Sequence, residues 1–249
     1  MSISLSINNN LLNLKKLNLP TRYYHFNQDE NYIKFLSVGE GIFPRDKINT
    51  NIKLFNSNYI FTTESATKVY PSDGNFGLNS INIELSNSNC EFLNDELILY
   101  KNSKFIELLN IKSDKNSTFF YTSILSHGRS FEIFDFTQML ARNKFTIDKE
   151  LEYYENYDIN GKYLKNYFQR HELNDAIFAK IYIKSKDNEY LREALFANNF
   201  VSFSYTKTKK MIIGVISSNS MHKLKQNINK VWKIYRKSLN KSEFDLGKQ

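Results

Sequence analysis

The sequence predicts a β-dominated fold with about two helices, and three observations carry that reading. Short runs of aromatic and β-branched residues recur along the chain, separated by Asn, Ser, Asp and Lys turns. One run, Asn79 to Ser86, alternates with period two: Ile81, Ile83 and Leu85 share one face, and Asn82, Glu84 and Ser86 the other. Only two segments stand out as helices, one by its good helix formers and one by three- and four-residue apolar steps.

In chain order, Gly39 to Ile48 reads as a turn leading into a strand. Tyr59, Ile60, Phe61, Thr62 and Thr63 are all residues that fit a pleated surface. The chain then turns small and polar through Glu64, Ser65 and Ala66, and recovers with Thr67-Lys68-Val69-Tyr70, whose final ring reads as buried. Pro71-Ser72-Asp73-Gly74 stops it. After Asn79–Ser86, Leu97 to Tyr100 reads as a strand, Lys101-Asn102-Ser103 as a turn, and Phe105 to Ile111 and Thr118 to Ile124 as further strands. Phe145 to Tyr157 includes strand, and Asn160-Gly161 is a type I′ hairpin dipeptide. Ala176 to Ile183, Phe200 to Tyr205 and Met211 to Ser217 complete the strands.

Asn188 to Ala197 is a short helix of good helix formers. Asn219 to Ser238 is longer, capped by Ser220 or Asn219, with Met221, Leu224, Ile228, Val231, Trp232 and Tyr235 forming an apolar stripe. That stripe either packs on its own sheet or meets a partner. The tail after Asn240 is polar and reads as frayed. No Gly/Ser/Pro linker divides the chain and no repeat at a fixed period stands out, so residues 1–249 read as one domain.

Composition fits a packed globule: 41% of residues are hydrophobic and 15% aromatic, with 20 Phe and 16 Tyr. The balance of 34 basic against 26 acidic residues gives a net charge of +8. Such a balance suits nucleic acid or an acidic protein partner, but the basic residues are dispersed. The densest runs, Lys207 to Lys210 and Lys223 to Lys241, read as solvated faces. A nucleic-acid-binding β protein stays the alternative function, without the aromatic motif of an RNA-recognition sheet. One cysteine, Cys90, precludes an internal disulfide and fits a reducing compartment. The N-terminus lacks a signal-peptide pattern, and no apolar run approaches a membrane span. The expected place is the cytoplasm.

Catalytic patterns are missing. No Gly-Lys-Ser/Thr phosphate loop occurs. His25, His127, His171 and His222 have no i,i+3 or i,i+4 histidine partner, so a preformed tetrahedral zinc site is not expected. Cys90 reads as small apolar filling unless a base approaches it. The carboxylates Asp46, Glu132 and Asp135, with Glu91, Asp95 and Glu96 around Phe92-Leu93, read as strand-face and turn residues or as weak oxygen ligands for a divalent cation.

Thr62-Thr63, Ala66, Lys68 and Tyr70 together resemble the signature of the UreD family (UreH in some bacteria) of urease accessory proteins. Three flanking elements resemble the family in order. Gly39 to Ile48 carries Asp46, with Arg45 in place of Gly. Phe92 to Ile98 carries Asn94 where Pro is usual. Gly128-Arg129-Ser130-Phe131-Glu132-Ile133-Phe134 is a shortened form lacking the second Gly.

The resemblance implies a layered, β-helix-like stack of sheets and a urease maturation chaperone rather than an enzyme. It implies apo-urease, the accessory protein UreF and, through UreF, the GTPase UreG as partners, without nucleic acid or membrane, and it allows a dimer of heterodimers. Nickel would be transient cargo on an internal water-filled path, with no tightly bound cofactor and no stable metal site. Asp46 and Glu132 are expected on that path; Thr62, Thr63, Ala66, Lys68, Tyr70, Gly128 and Arg129 are expected to be structural.

Overall fold

A computed structural model of the protein describes residues 2–27, 29–37, 41–129, 131–173 and 177–247. Gly39, Ser130 and the expected strand start at Ala176 lie outside them. The strands are β1 (Ser2–Asn8), β2 (Leu11–Asn18), β3 (Thr21–Asn27), β4 (Asn31–Ser37), β5 (Lys47–Phe55), β6 (Asn58–Thr63), β7 (Thr67–Val69) and β8 (Gly77–Ser86). They continue as β9 (Asn89–Leu99), β10 (Lys104–Ser113), β11 (Thr118–Leu125), β12 (Gln138–Ile147) and β13 (Glu150–Ile159). After α1 (Gly161–Arg170) come β14 (Ile177–Lys184), α2 (Asn188–Ala197), β15 (Ser204–Tyr205), β16 (Ile212–Ser218) and α3 (Met221–Ser238).

Two sheets face one another. The first runs β13-β12-β10-β8-β5-β1-β2; the second runs β15-β16-β14-β11-β9-β6-β4-β3, with β7 beside β9. From β5 to β12 the chain passes back and forth between them, and each strand lies parallel to its predecessor in the same sheet. The result is the stacked coil that the resemblance implied, each turn resting on the last.

Corner serines fix the register. The Ser57 N–H donates to Ser88 Oγ at 3.1 Å, and the Ser88 N–H donates to Ser117 Oγ at 3.1 Å. The three serines lie 31 and 29 residues apart, each preceded by Asn (Asn56, Asn87, Asn116). This is a repeat after all, hidden from the sequence because its spacing is unequal and its motif two residues long.

The main core fills the space between the sheets, with Ile52, Ile83 and Ile111 opposing Phe61, Phe92 and Tyr121. A second core lies outside the second sheet, where Leu191, Leu195, Leu224, Ile228, Val231, Trp232 and Tyr235 of α2 and α3 cover it. The α3 stripe therefore packs on its own sheet, each fully buried side chain contributing roughly 1.5–3 kcal/mol. Strand β11 shows the consequence for sequence: Phe119 and Tyr121 face the inner core and Phe120 the outer one, giving an unbroken apolar run.

Several sequence expectations change. Asn160-Gly161 starts α1 rather than a hairpin: Asn160 Oδ1 accepts the Lys162 N–H at 3.0 Å as a cap, and a Cβ on Gly161 would strike the carbonyls of Phe134 and Phe136. The hairpin turn lies at Asp148-Lys149, both with positive φ, inside the stretch read as strand. Only Ser204–Tyr205 of Phe200–Tyr205 pairs as strand. Ser220 occupies the α3 cap without a side-chain cap bond. The tail is ordered as far as Leu246, since Phe244 and Leu246 pack against the outer core. Among the described residues, no helix is long and apolar enough to cross a membrane.

Candidate functional site

The two carboxylates expected on the path, Asp46 and Glu132, hold separate turns along one corner of the coil. Tyr70 follows β7, and its ring stacks on Phe43 at 4.5 Å and meets Tyr100 edge-on at 5.1 Å. The Arg129 guanidinium lies over Tyr100 at 4.7 Å. Tyr70 is half-buried rather than buried, because it occupies a corner and not an inner strand face.

Asp46 Oδ2 accepts the Phe43 N–H at 2.9 Å and closes the turn that presents Phe43. Glu132 Oε2 accepts the Lys101 N–H at 3.0 Å, one residue beyond Tyr100. Gly128 has φ +127°, and a Cβ there would collide with the Glu132 carbonyl, so the loop folds back only around glycine. Asp46, Tyr70, Gly128, Arg129 and Glu132 thus share one column, each carboxylate holding a backbone N–H.

The signature threonines point in opposite directions. Thr62 faces outward, fully buried, and donates to the Leu93 carbonyl at 2.7 Å. Thr63 faces inward; its Oγ1 accepts the Asp95 N–H at 2.8 Å and donates to Asp95 Oδ2 at 3.1 Å, while Lys225 pairs with Asp95 at 3.2 Å and Glu96 at 3.1 Å. These bonds, with that from the Asn94 N–H to Thr122 Oγ1 at 3.0 Å, hold an irregularity in β9. Thr63, Ala66 and the exposed Lys68 line a cavity of about 130 Å³, with Thr50, Asn79 and Asn94 adding polar groups from the coil interior.

Deeper in, sequence reasoning missed the most unusual residue. Glu107 lies on β10 between Phe105 and Leu109, two inward core residues, so period two turns its carboxylate inward. Its carboxylate lies among neighbouring groups, although the residue keeps some accessible surface. It makes no hydrogen bond or ion pair among the described residues. Burial, then the charge of Glu155, pushes its carboxyl up to about 7, against a smaller opposing effect of Lys180.

Glu155 differs. Burial raises its pKa, but hydrogen bonds from Lys180 at 2.8 Å, Tyr182 and Asn143 at 2.6 Å outweigh this and hold it below the usual carboxylate range. Burial followed by the Glu107 charge pushes the Tyr121 and Tyr157 hydroxyls upward. Tyr157 and Lys180 also line a second cavity of about 130 Å³ with Ser123. Glu107 therefore neighbours the linings of both cavities: it is the register partner of Asn79 in the first and the electrostatic neighbour of Tyr157 and Lys180 in the second. The overlooked signal was parity, since Phe105, Glu107, Leu109 and Ile111 put one acid on an otherwise apolar face.

Outside the second sheet, Glu91 is buried with three donors: Trp232 Nε1 at 2.6 Å, Arg236 Nη1 at 2.7 Å and Lys241 Nζ at 2.9 Å. Arg236 also pairs with Glu30. Cys90 is fully buried and its thiol is pushed up by burial, then by Glu91, which disfavours the thiolate a nucleophile needs. The basic runs are partly consumed by pairing, Lys209 with Glu189, Lys210 with Glu150 and Lys233 with Glu243. Among the described residues, no three His, Cys, Asp or Glu side chains gather closely enough to hold a metal ion.

A family model described as UreD urease accessory protein matches residues 17–246. The chain is 58% identical to the urease accessory protein UreD of Aliarcobacter butzleri (strain RM4018) over 250 residues, covering all of both chains. It is 33% identical to UreD of Staphylococcus epidermidis (strain ATCC 12228 / FDA PCI 1200) over 125 residues, 49% of this chain and 45% of that one. With UreD of Staphylococcus aureus (strain bovine RF122 / ET3-1) it shares 29% over 130 residues, 50% of this chain and 46% of the other.

Proposed function

The chain belongs to the UreD family of urease accessory proteins, and from that premise we propose that it is a non-catalytic chaperone of urease maturation through which nickel passes as cargo. It docks on apo-urease together with UreF and, through UreF, the GTPase UreG. Nickel released by the GTPase passes along an internal water-filled path on its way to the urease active site.

The observation that supports this reading is the Glu107 carboxylate, without a hydrogen bond or ion pair among the described residues, near two mainly apolar cavities to which Thr50, Asn79 and Asn94 in one and Ser123, Tyr157 and Lys180 in the other add polar groups. A conduit needs groups that coordinate weakly, because a closed ligand set would trap the ion. One carboxylate with tyrosine hydroxyls and amide oxygens nearby is a weak set of that kind. Asp46 and Glu132 enter the proposal at the surface end of the path, where they also hold the corner turns.

The test is reconstitution of apo-urease with nickel, GTP, UreF and UreG, with and without this chain. Urease activity is expected only when the chain is present. Asp46→Ala and Glu132→Ala should still fold and bind partners while lowering activation; insolubility of both would assign them to the scaffold alone. Activation that is indifferent to the chain would refute the reading.

A further inference from the structure

We propose that the N-terminal end of the coil is a docking surface for an acidic protein surface bearing apolar side chains. Strands β2 and β3 terminate the two sheets there, each leaving one edge unpaired. Leu12, Leu14 and Leu17 of β2 stand opposite Ile7, Leu5 and Ile3 of β1 and continue the inner apolar face past the last full coil. No further coil covers them: Leu14 and Leu17 are each 39% exposed, and Leu19, in the link to β3, is 73% exposed. On the outer side of β3, Tyr24 and Phe26 are 56% and 42% exposed. Coil proteins ordinarily finish on a polar cap, and an apolar end of this kind marks a contact.

The charge around the end selects the occupant. Lys15, Lys16 and Arg22 are exposed on β2 and β3 and make no ion pair among the described residues. Stacking a second copy end to end would bring both sets of cations together. The β1–β2 register also slips between Ser4 and Leu5, leaving Lys15 as a bulge on the free edge, a device that blocks strand-to-strand joining. Side-chain docking by a surface rich in Asp and Glu meets neither obstacle and neutralises the three cations. The first interior cavity is bordered by Pro20 and Thr21 at this same end, so a docked partner would sit beside its mouth.

The choice of probes rests on the proposed function. Purified UreF and purified apo-urease are each titrated onto immobilised full-length chain at low and high salt, alongside anionic lipid vesicles. One protein probe is expected to bind, more weakly as salt rises. The Lys15→Glu/Lys16→Glu double variant should weaken that binding at least about tenfold, and Leu17→Ser/Leu19→Ser should do the same with unchanged melting temperature. Should the leucine variant fail to fold, the lysine variant decides.

Binding that survives the lysine variant overturns this inference alone. Self-association abolished by the leucine variant, or binding to vesicles in place of either protein, also overturns it. Wild-type chain that binds neither protein overturns it together with the proposed partners.

Discussion

Two glutamates, one on each side of the second sheet, have opposite circumstances. Glu91 faces outward beneath α3 and accepts hydrogen bonds from Trp232, Arg236 and Lys241. Glu107 reaches into the space between the sheets from the first one and has no such partner. A buried anion surrounded by donors is a fastening, whereas one left without them is an expense the fold carries for another reason. The pair therefore separates a structural half of the molecule from a candidate working half.

The largest effect should follow removal of the fastened acid. Glu91→Ala leaves Arg236 buried with Glu30 as its one remaining carboxylate among the described residues, beside the Ser242 carbonyl, and the loss should reach about 3–5 kcal/mol by analogy with broken buried pairs. Chemical denaturation measures it, and a change under about 1 kcal/mol would erase the contrast drawn between the two acids.

Glu107→Gln should act with the opposite sign. The Glu107 carboxyl titrates near 7 in the fold against 4.5 as its ordinary value, so the folded state binds the extra proton between those limits. Wild-type stability is then undiminished below pH 4.5 and falls as pH rises through 7. Glutamine escapes that fall. The variant should match wild type at acid pH and exceed it above neutrality by at most about 3 kcal/mol, at 1.36 kcal/mol per unit. Urease activation should drop at the same time. Melting curves across the pH range, paired with reconstitution, would catch a variant that is stabilised without loss of activation and so refute the conduit role.

Tyr70→Ala should be milder. The ring is half-buried, with one stacked and one edge-on neighbour, which points to a loss of about 2 kcal/mol. An unchanged melting temperature would mean the corner column adds nothing to the scaffold.

Much of the strand content was legible because its signal was local. β8, β10, β11 and β16 carry β-branched or aromatic runs that need no tertiary knowledge, and α2 and α3 show helical steps. The misses have a common physical origin in context. β2 and β3 are edge strands whose side chains are largely exposed, and the Lys15 bulge in β2 breaks its leucine alternation between Leu14 and Leu17. At Asn160-Gly161, dipeptide chemistry compatible with a hairpin was overruled by the close approach of Phe134 and Phe136, which favours glycine in either structure. The site divided similarly. The signature located Thr63, Ala66 and Lys68 beside a cavity, but its deepest acid became conspicuous only once both sheets enclosed it.

The fastening at Glu91 also orders events along the chain. Its cationic partners are 145 and 150 residues further on, near the end of α3 and in the tail. A polypeptide halted before α3 would carry that anion on the outer face of the second sheet, with much of the outer core uncovered beside it. Incomplete products thereby expose apolar surface and an unanswered charge, which chaperones and proteases recognise. Completion of the last helix and the tail answers both at once.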